Sequence, residues 1–144
     1  TFTGWDTEIP ATMPSANLII YATWAINEYT ITFDSMGGTA VAPITQDFGT
    51  AVTEPADPMK TGYTFIGWSP VVPATMPATD ITCVAQWSIN SYIISFNTMG
   101  GTPVADIEQE FGTAVTPPAP PTKTGFTFAG WVPEVPATMP GTDT

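Results

Sequence analysis

Residues Lys60–Trp68 read KTGYTFIGW, and residues Lys123–Trp131 read KTGFTFAGW. The two stretches lie 63 residues apart, and the match continues on both sides without a gap. Tyr29, Phe33, Gly37 and Gly38 fall on Tyr92, Phe96, Gly100 and Gly101, and Phe48-Gly49 falls on Phe111-Gly112. The run PATMP at Pro73–Pro77 returns at Pro136–Pro140. Between 25–81 and 88–144, 38 of 57 positions are identical. The register also runs backward, placing Phe2, Trp5, Met13 and Trp24 on Phe65, Trp68, Met76 and Trp87. A fixed period of this length is the signature of a tandem repeat, so the repeat has to be read before any single element.

One unit, 25–87, is complete, while 1–24 matches the last part of a unit and 88–144 lacks its final strand. Thr1–Leu18 and Thr127–Thr144 occupy the same repeat positions, so the two partial units overlap rather than add up to one. The expected context is a window on a longer array. An incomplete third unit that accepts a strand from another molecule is the sharper reading, and the 18-residue overlap counts against a dedicated exchange.

Within the complete unit, EYTITFD at 28–34 alternates Tyr29, Ile31 and Phe33 with Thr30 and Thr32, the period-two pattern of a half-buried strand. Gly37 and Gly38 follow as turn residues, with Gly100 and Gly101 at the same place in the third unit. Ile44, Gln46 and Phe48 make a second, weaker alternation behind Pro43. The Pro-rich stretch 53–62 cannot be a helix interior. YTFIGW at 63–68 and DITCVAQW at 80–87 read as third and fourth strands. The reading is a mostly β chain of tandem units of about 63 residues, each of about four strands with little or no helix. Tyr29, Phe33, Phe48, Phe65, Trp68, Trp87, Tyr92, Phe96, Phe111, Phe128 and Trp131 are the expected core, and Trp5 and Trp24 share the two tryptophan positions. Only the four residues 88–91 (SINS) separate Trp87 from Tyr92. So short a junction, with Ile26 and Ile89 available to pack, favours a stiff rod over flexibly linked beads.

Composition narrows the function. The 144-residue chain has 13 acidic residues, two lysines (Lys60 and Lys123), no arginine and no histidine, for a net charge of −11. A nucleic-acid partner needs cations to displace counterions, and an anionic membrane surface would repel this chain. No apolar run approaches the roughly 20 residues of a membrane-spanning helix. Histidine, the commonest general base and metal ligand, is missing. A glycosidase-like pair of carboxylates would have to come from Asp34, Asp47, Glu54 and Asp57. Their counterparts are Asn97, Glu110, Pro117 and Pro120, so no pair is kept. Asp106, Glu108 and Glu110 could line one strand face, but their counterparts Pro43, Thr45 and Asp47 could not hold a cation, and the loop pattern of a calcium site is absent. No catalytic, cofactor or metal residue is assigned. Cys83 stands where the first unit has Ile20 and reads as a small buried hydrophobe. Ile93 replaces Thr30 on the strand's other face, which points either to cover by a neighbour or to an intermolecular contact. Thr12, Thr75, Thr122 and Thr138, each beside or near proline, are candidate O-glycosylation sites.

YTITFDSMGGTAV, EPADPMKTGYTFIGW and MPATDITCVAQWSIN together resemble the Listeria–Bacteroides repeat, also called the internalin B-repeat, of bacterial surface proteins. The resemblance implies a small β-grasp-like fold and a non-catalytic place in a stalk or adhesive segment. Two features depart from the family: Ser69–Thr79 is short and carries Pro70, Pro73 and Pro77, where the family has a helical segment, and lysines are nearly gone. The function expected is that of an extracellular or cell-surface structural repeat (stalk, adhesin shaft or fibre subunit) that associates with neighbouring repeats or with itself, head to tail. The alternative is a binding module that recognises a host protein or glycan through exposed aromatic residues.

Overall fold

A computed structural model of the chain describes residues 1–143. Eight strands form three sheets, and no helix occurs among the described residues. The middle repeat holds the complete sheet. Its strands are β3 (Glu28–Asp34), β4 (Ile44–Asp47), β5 (Tyr63–Ser69) and β6 (Ile81–Ile89), in the spatial order β4-β3-β6-β5. β3 pairs antiparallel with β4, β6 antiparallel with β5, and the two central strands run parallel. Two hairpin-like pairs joined through parallel central strands make a β-grasp-like sheet. The crossover that the parallel pair requires is made by the irregular, Pro-rich chain around 48–62.

The alternation in the sequence explains which face is buried. Ile31 and Cys83 are fully buried, and Phe33, Trp68, Met76 and Ala85 nearly so. Tyr29, Phe65 and Trp87 pack on their margin. Phe33 and Phe65 meet the Trp68 ring edge-on at 4.9 and 5.2 Å between centroids, a geometry that adds about 0.5–1.5 kcal/mol per pair to simple burial. Met76, on the Pro-rich return 70–80, closes the core. Its backbone N–H donates to the Thr50 carbonyl, and its carbonyl accepts from Gly49 N–H.

The flanking repeats keep parts of this sheet. β1 (Phe2–Trp5) and β2 (Ala22–Trp24) correspond to β5 and the end of β6. β7 (Ser91–Ile94) and β8 (Ile107–Glu110) correspond to β3 and β4. The third repeat has its own small core of Ile94, Val115 and Met139, edged by Tyr92 and Phe96.

Several expected core residues lie elsewhere. Phe48 is 50% exposed and Phe128 is 37% exposed. Trp5 and Trp24 are also exposed, at 51% and 71%. The physical reason is shared. Each of these rings is covered by a strand or a neighbouring repeat at the matching positions in the complete part of the molecule, and that cover is missing around these four.

Candidate functional site: the joint between repeats

The most structured feature outside the core is the junction of the second and third repeats. It begins with a turn. Lys60-Thr61-Gly62 closes through Tyr63 N–H to the Lys60 carbonyl at 3.0 Å, with Gly62 at φ +78°. Only glycine enters that conformation without strain, and here it has a second use. A Cβ on Gly62 would come within 2.1 Å of the Phe111 ring. Phe111 from the third repeat thus lies directly on the backbone of the second. It also meets Tyr63 at 6.1 Å and its own Tyr92 at 6.4 Å, both near-perpendicular. A Cβ on Gly141 would meet the Thr61 methyl at 3.1 Å and the same ring at 3.4 Å.

Asn90 fastens the two sides. Its backbone N–H donates to the Gly62 carbonyl at 2.9 Å, and its own carbonyl accepts from Phe111 N–H at 2.9 Å. Its side-chain oxygen accepts from the Thr64 hydroxyl at 2.7 Å. Asn27 repeats half of this arrangement, bonding Thr1 through its side chain and Phe48 N–H through its carbonyl. Of the two junction isoleucines, Ile26 is 57% exposed, whereas Ile89 is half-buried and pairs with Tyr63 at the end of β6. Polar stitching by asparagine and a phenylalanine on a glycine fasten the joint. Sequence reasoning missed Asn27 and Asn90. Their identity at matching junction positions was the available signal.

Both lysines are structural. Lys60 Nζ donates to the Met36 carbonyl at 2.9 Å and sits 4.4 Å from the Tyr63 ring centre. Lys123 Nζ does the same to the Met99 carbonyl at 2.7 Å, over Phe126. Each lysine ties the Gly-Gly turn to its own Lys-Thr-Gly turn, which for Lys60 leads into β5. Gly37 and Gly100 take φ +86° there, while Gly38 gives way to an indole: a Cβ on it would meet Trp87 at 2.6 Å. Trp87 Nε1 donates to the Ser35 carbonyl at 3.0 Å. The Asp80 carboxylate accepts from Thr30 N–H at 2.8 Å, and Asp143 accepts from Ile93 N–H at 3.0 Å, so this contact also recurs.

Ile93 pairs across the ladder with Glu108 and stays 37% exposed; in the second repeat the same pair is Thr30 and Thr45, which share a hydrogen bond. Asp106, Glu108 and Glu110 are exposed, and no group of three or more potential ligands is gathered to hold a metal among the described residues. Cys83 is fully buried and reduced. Burial pushes its thiol above the ordinary 9.0, and the Glu54 carboxylate pushes it further. No helix among the described residues is long and apolar enough to cross a membrane.

The comparisons agree with this repeat architecture. The model of the Listeria-Bacteroides repeat domain matches residues 29–86 and again residues 92–138. A protein of Evansella cellulosilytica, provisionally named a membrane protein, is 38% identical over 135 residues, covering 88% of this chain and 20% of its own length. A second Evansella protein, provisionally named a Gly-rich membrane protein, is 36% identical over 150 residues, covering 91% of this chain and 17% of its own. Internalin H of Listeria monocytogenes is 35% identical over 112 residues, covering 72% of this chain and 20% of its own. The chain spans about a fifth of the length of these relatives. No solved structure matches it significantly. The chain belongs to the Listeria-Bacteroides repeat domain family.

Proposed function

We propose that this chain is a non-catalytic structural segment of an extracellular or cell-surface protein, a shaft that holds other parts at a distance. The joint carries this reading. Asn90 bonds to both repeats, and Phe111 lies on Gly62 with no room for a side chain between them. Flexible linkers spend no residues in this way. Neighbour contacts also lend stability to units too small to bury much of their own surface. The relatives, several times longer than this chain, supply the context in which a repeated spacer has a use. Small-angle scattering of the chain tests it. An elongated particle of fixed shape is expected; a compact sphere or a flexible coil contradicts the shaft.

Recognition of a host protein or glycan stands behind this reading. Trp68 is buried and Trp87 half-buried, and the exposed aromatic rings cluster where a repeat lacks its neighbour. O-linked sugars on the exposed Thr12, Thr75, Thr122 and Thr138 fit a secreted shaft. They require an intact mass above that of the polypeptide.

A further inference from the structure

The complete repeat has chain on both sides of it, so tension along the molecule enters at the start of β3 and leaves at the end of β6. These two strands are neighbours and run parallel. We propose that the repeat bears tension, with the β3–β6 pair as a clamp loaded in shear. The proposal deepens the shaft reading and rests on it only in taking the chain to be held at points on either side of the repeat.

The register sets the geometry of loading. Ile31, Thr32, Phe33 and Asp34 lie opposite Ile81, Thr82, Cys83 and Val84. Glu28 therefore overhangs one end of the pair and Ile89 the other. Pulling on both draws the strands past each other along their own axes. All four register pairs are strained together and lost within a slip of about 3.3 Å, one residue of strand. Antiparallel strands pulled from a shared end peel instead. Each pair that opens then frees two residues, about 7 Å of chain. Work is force times distance. Breaking several pairs over the shorter distance demands a force several times that of breaking one pair over the longer.

The rest of the sheet supports the clamp and stays off the load path. β3 and β6 are the two inner strands, with β4 and β5 outside them, away from the sheet edges where fraying begins. On the core face, Ile31 and Cys83 are fully buried, and Phe33 and Ala85 nearly so. The Asp80 carboxylate accepts from Thr30 N–H at 2.8 Å, adding one more tie just before Ile31 meets Ile81. β4, β5 and the Pro-rich crossover lie between the clamp strands in sequence and carry no tension until the clamp yields. The connections between repeats suit the same use. β6 ends at Ile89 and β7 begins at Ser91, with Asn90 alone between them. β2 ends at Trp24 and β3 begins at Glu28. Force passes from strand to strand with no slack loop in its path.

The direction of pulling is the test. Handles on Glu28→Cys and Ser88→Cys load the pair in shear. Handles on Thr64→Cys and Ser88→Cys, positions that face each other across β5 and β6, peel the sheet. All three positions are exposed, and the native Cys83 is buried and takes no handle. Single-molecule extension of the whole chain should show the 28–88 pair giving way in one step. That step releases about 180 Å, the extended length of residues 28–88 less the span already between them along the strands. Its rupture force should be several-fold above that of the 64–88 pair at the same loading rate. Asp80→Ala should lower the first force and leave the second unchanged. Equal forces in the two directions, or a gradual extension of the 28–88 pair, overturn the clamp. Scattering tests the shaft separately: a stiff chain that yields equally in both directions loses only the clamp, and a flexible chain that keeps the directional difference loses only the shaft.

Discussion

Lys60 shows how much one residue does in a chain nearly without cations. Its ammonium holds the Met36 carbonyl and sits 4.4 Å from the centre of the Tyr63 ring. Lys60→Met keeps the stem and removes the donor. It should lower stability by about 1 kcal/mol, less than a buried charged hydrogen bond contributes because the site is partly solvated; chemical denaturation measures this. Cys83 gives a pH prediction of definite sign. Its thiol is raised in the folded state by burial and then by Glu54. The folded state therefore resists losing that proton more than the unfolded state does. The associated stability is fully present below the ordinary value of 9.0 and is lost as pH climbs above it. Denaturation curves across alkaline pH should show this loss, and Cys83→Val should remove its share of it. The folded thiol should also react with a thiol reagent only as fast as the core opens.

At the scale of elements, β3 was legible because Tyr29, Ile31 and Phe33 alternate with Thr30 and Thr32, and β6 because Ile81, Cys83, Ala85 and Trp87 recur at every second position, with Thr82 and Gln86 among the residues between them. The Pro-rich stretches 53–62 and 69–79 ruled out a regular helix, and none formed among the described residues. Burial was harder to read. Phe48 and Phe128 have the same sequence neighbourhoods as Phe111 and Phe65. Their exposure depends on a neighbouring repeat or strand, and local pattern carries no information about that. The joint was hidden for a related reason: Asn90 and Gly62 are ordinary turn residues until the fold brings Phe111 onto them. The packing of Trp87 against the Gly-Gly turn can be tested directly. Gly38→Ala places a methyl 2.6 Å from the indole and should cost about 1–3 kcal/mol by overpacking, with Trp87 fluorescence shifted to longer wavelength as the ring is displaced.

For the molecule as a whole, the two glycines at equivalent turns form a natural control. Gly62 and Gly125 have φ +78° and +80°, so Gly→Ala imposes the same backbone strain at each, about 1–2 kcal/mol. Only Gly62 has Phe111 above it. Gly62→Ala should therefore be the more damaging by a further 1–3 kcal/mol or so, read as the difference between the two melting curves. Equal losses would mean that the joint contributes nothing. The joint links the second and third repeats through Asn90 and Phe111, and the proposed shaft requires it to hold them against the self-repulsion of a net charge of −11. Spin labels on Thr53→Cys and Thr116→Cys, exposed equivalent positions in the second and third repeats, measure that rigidity most directly. A single narrow distance distribution is expected, broadening when Phe111→Ala is added. A broad distribution in the chain with Phe111 intact, unchanged by Phe111→Ala, would contradict a stiff shaft built from these repeats.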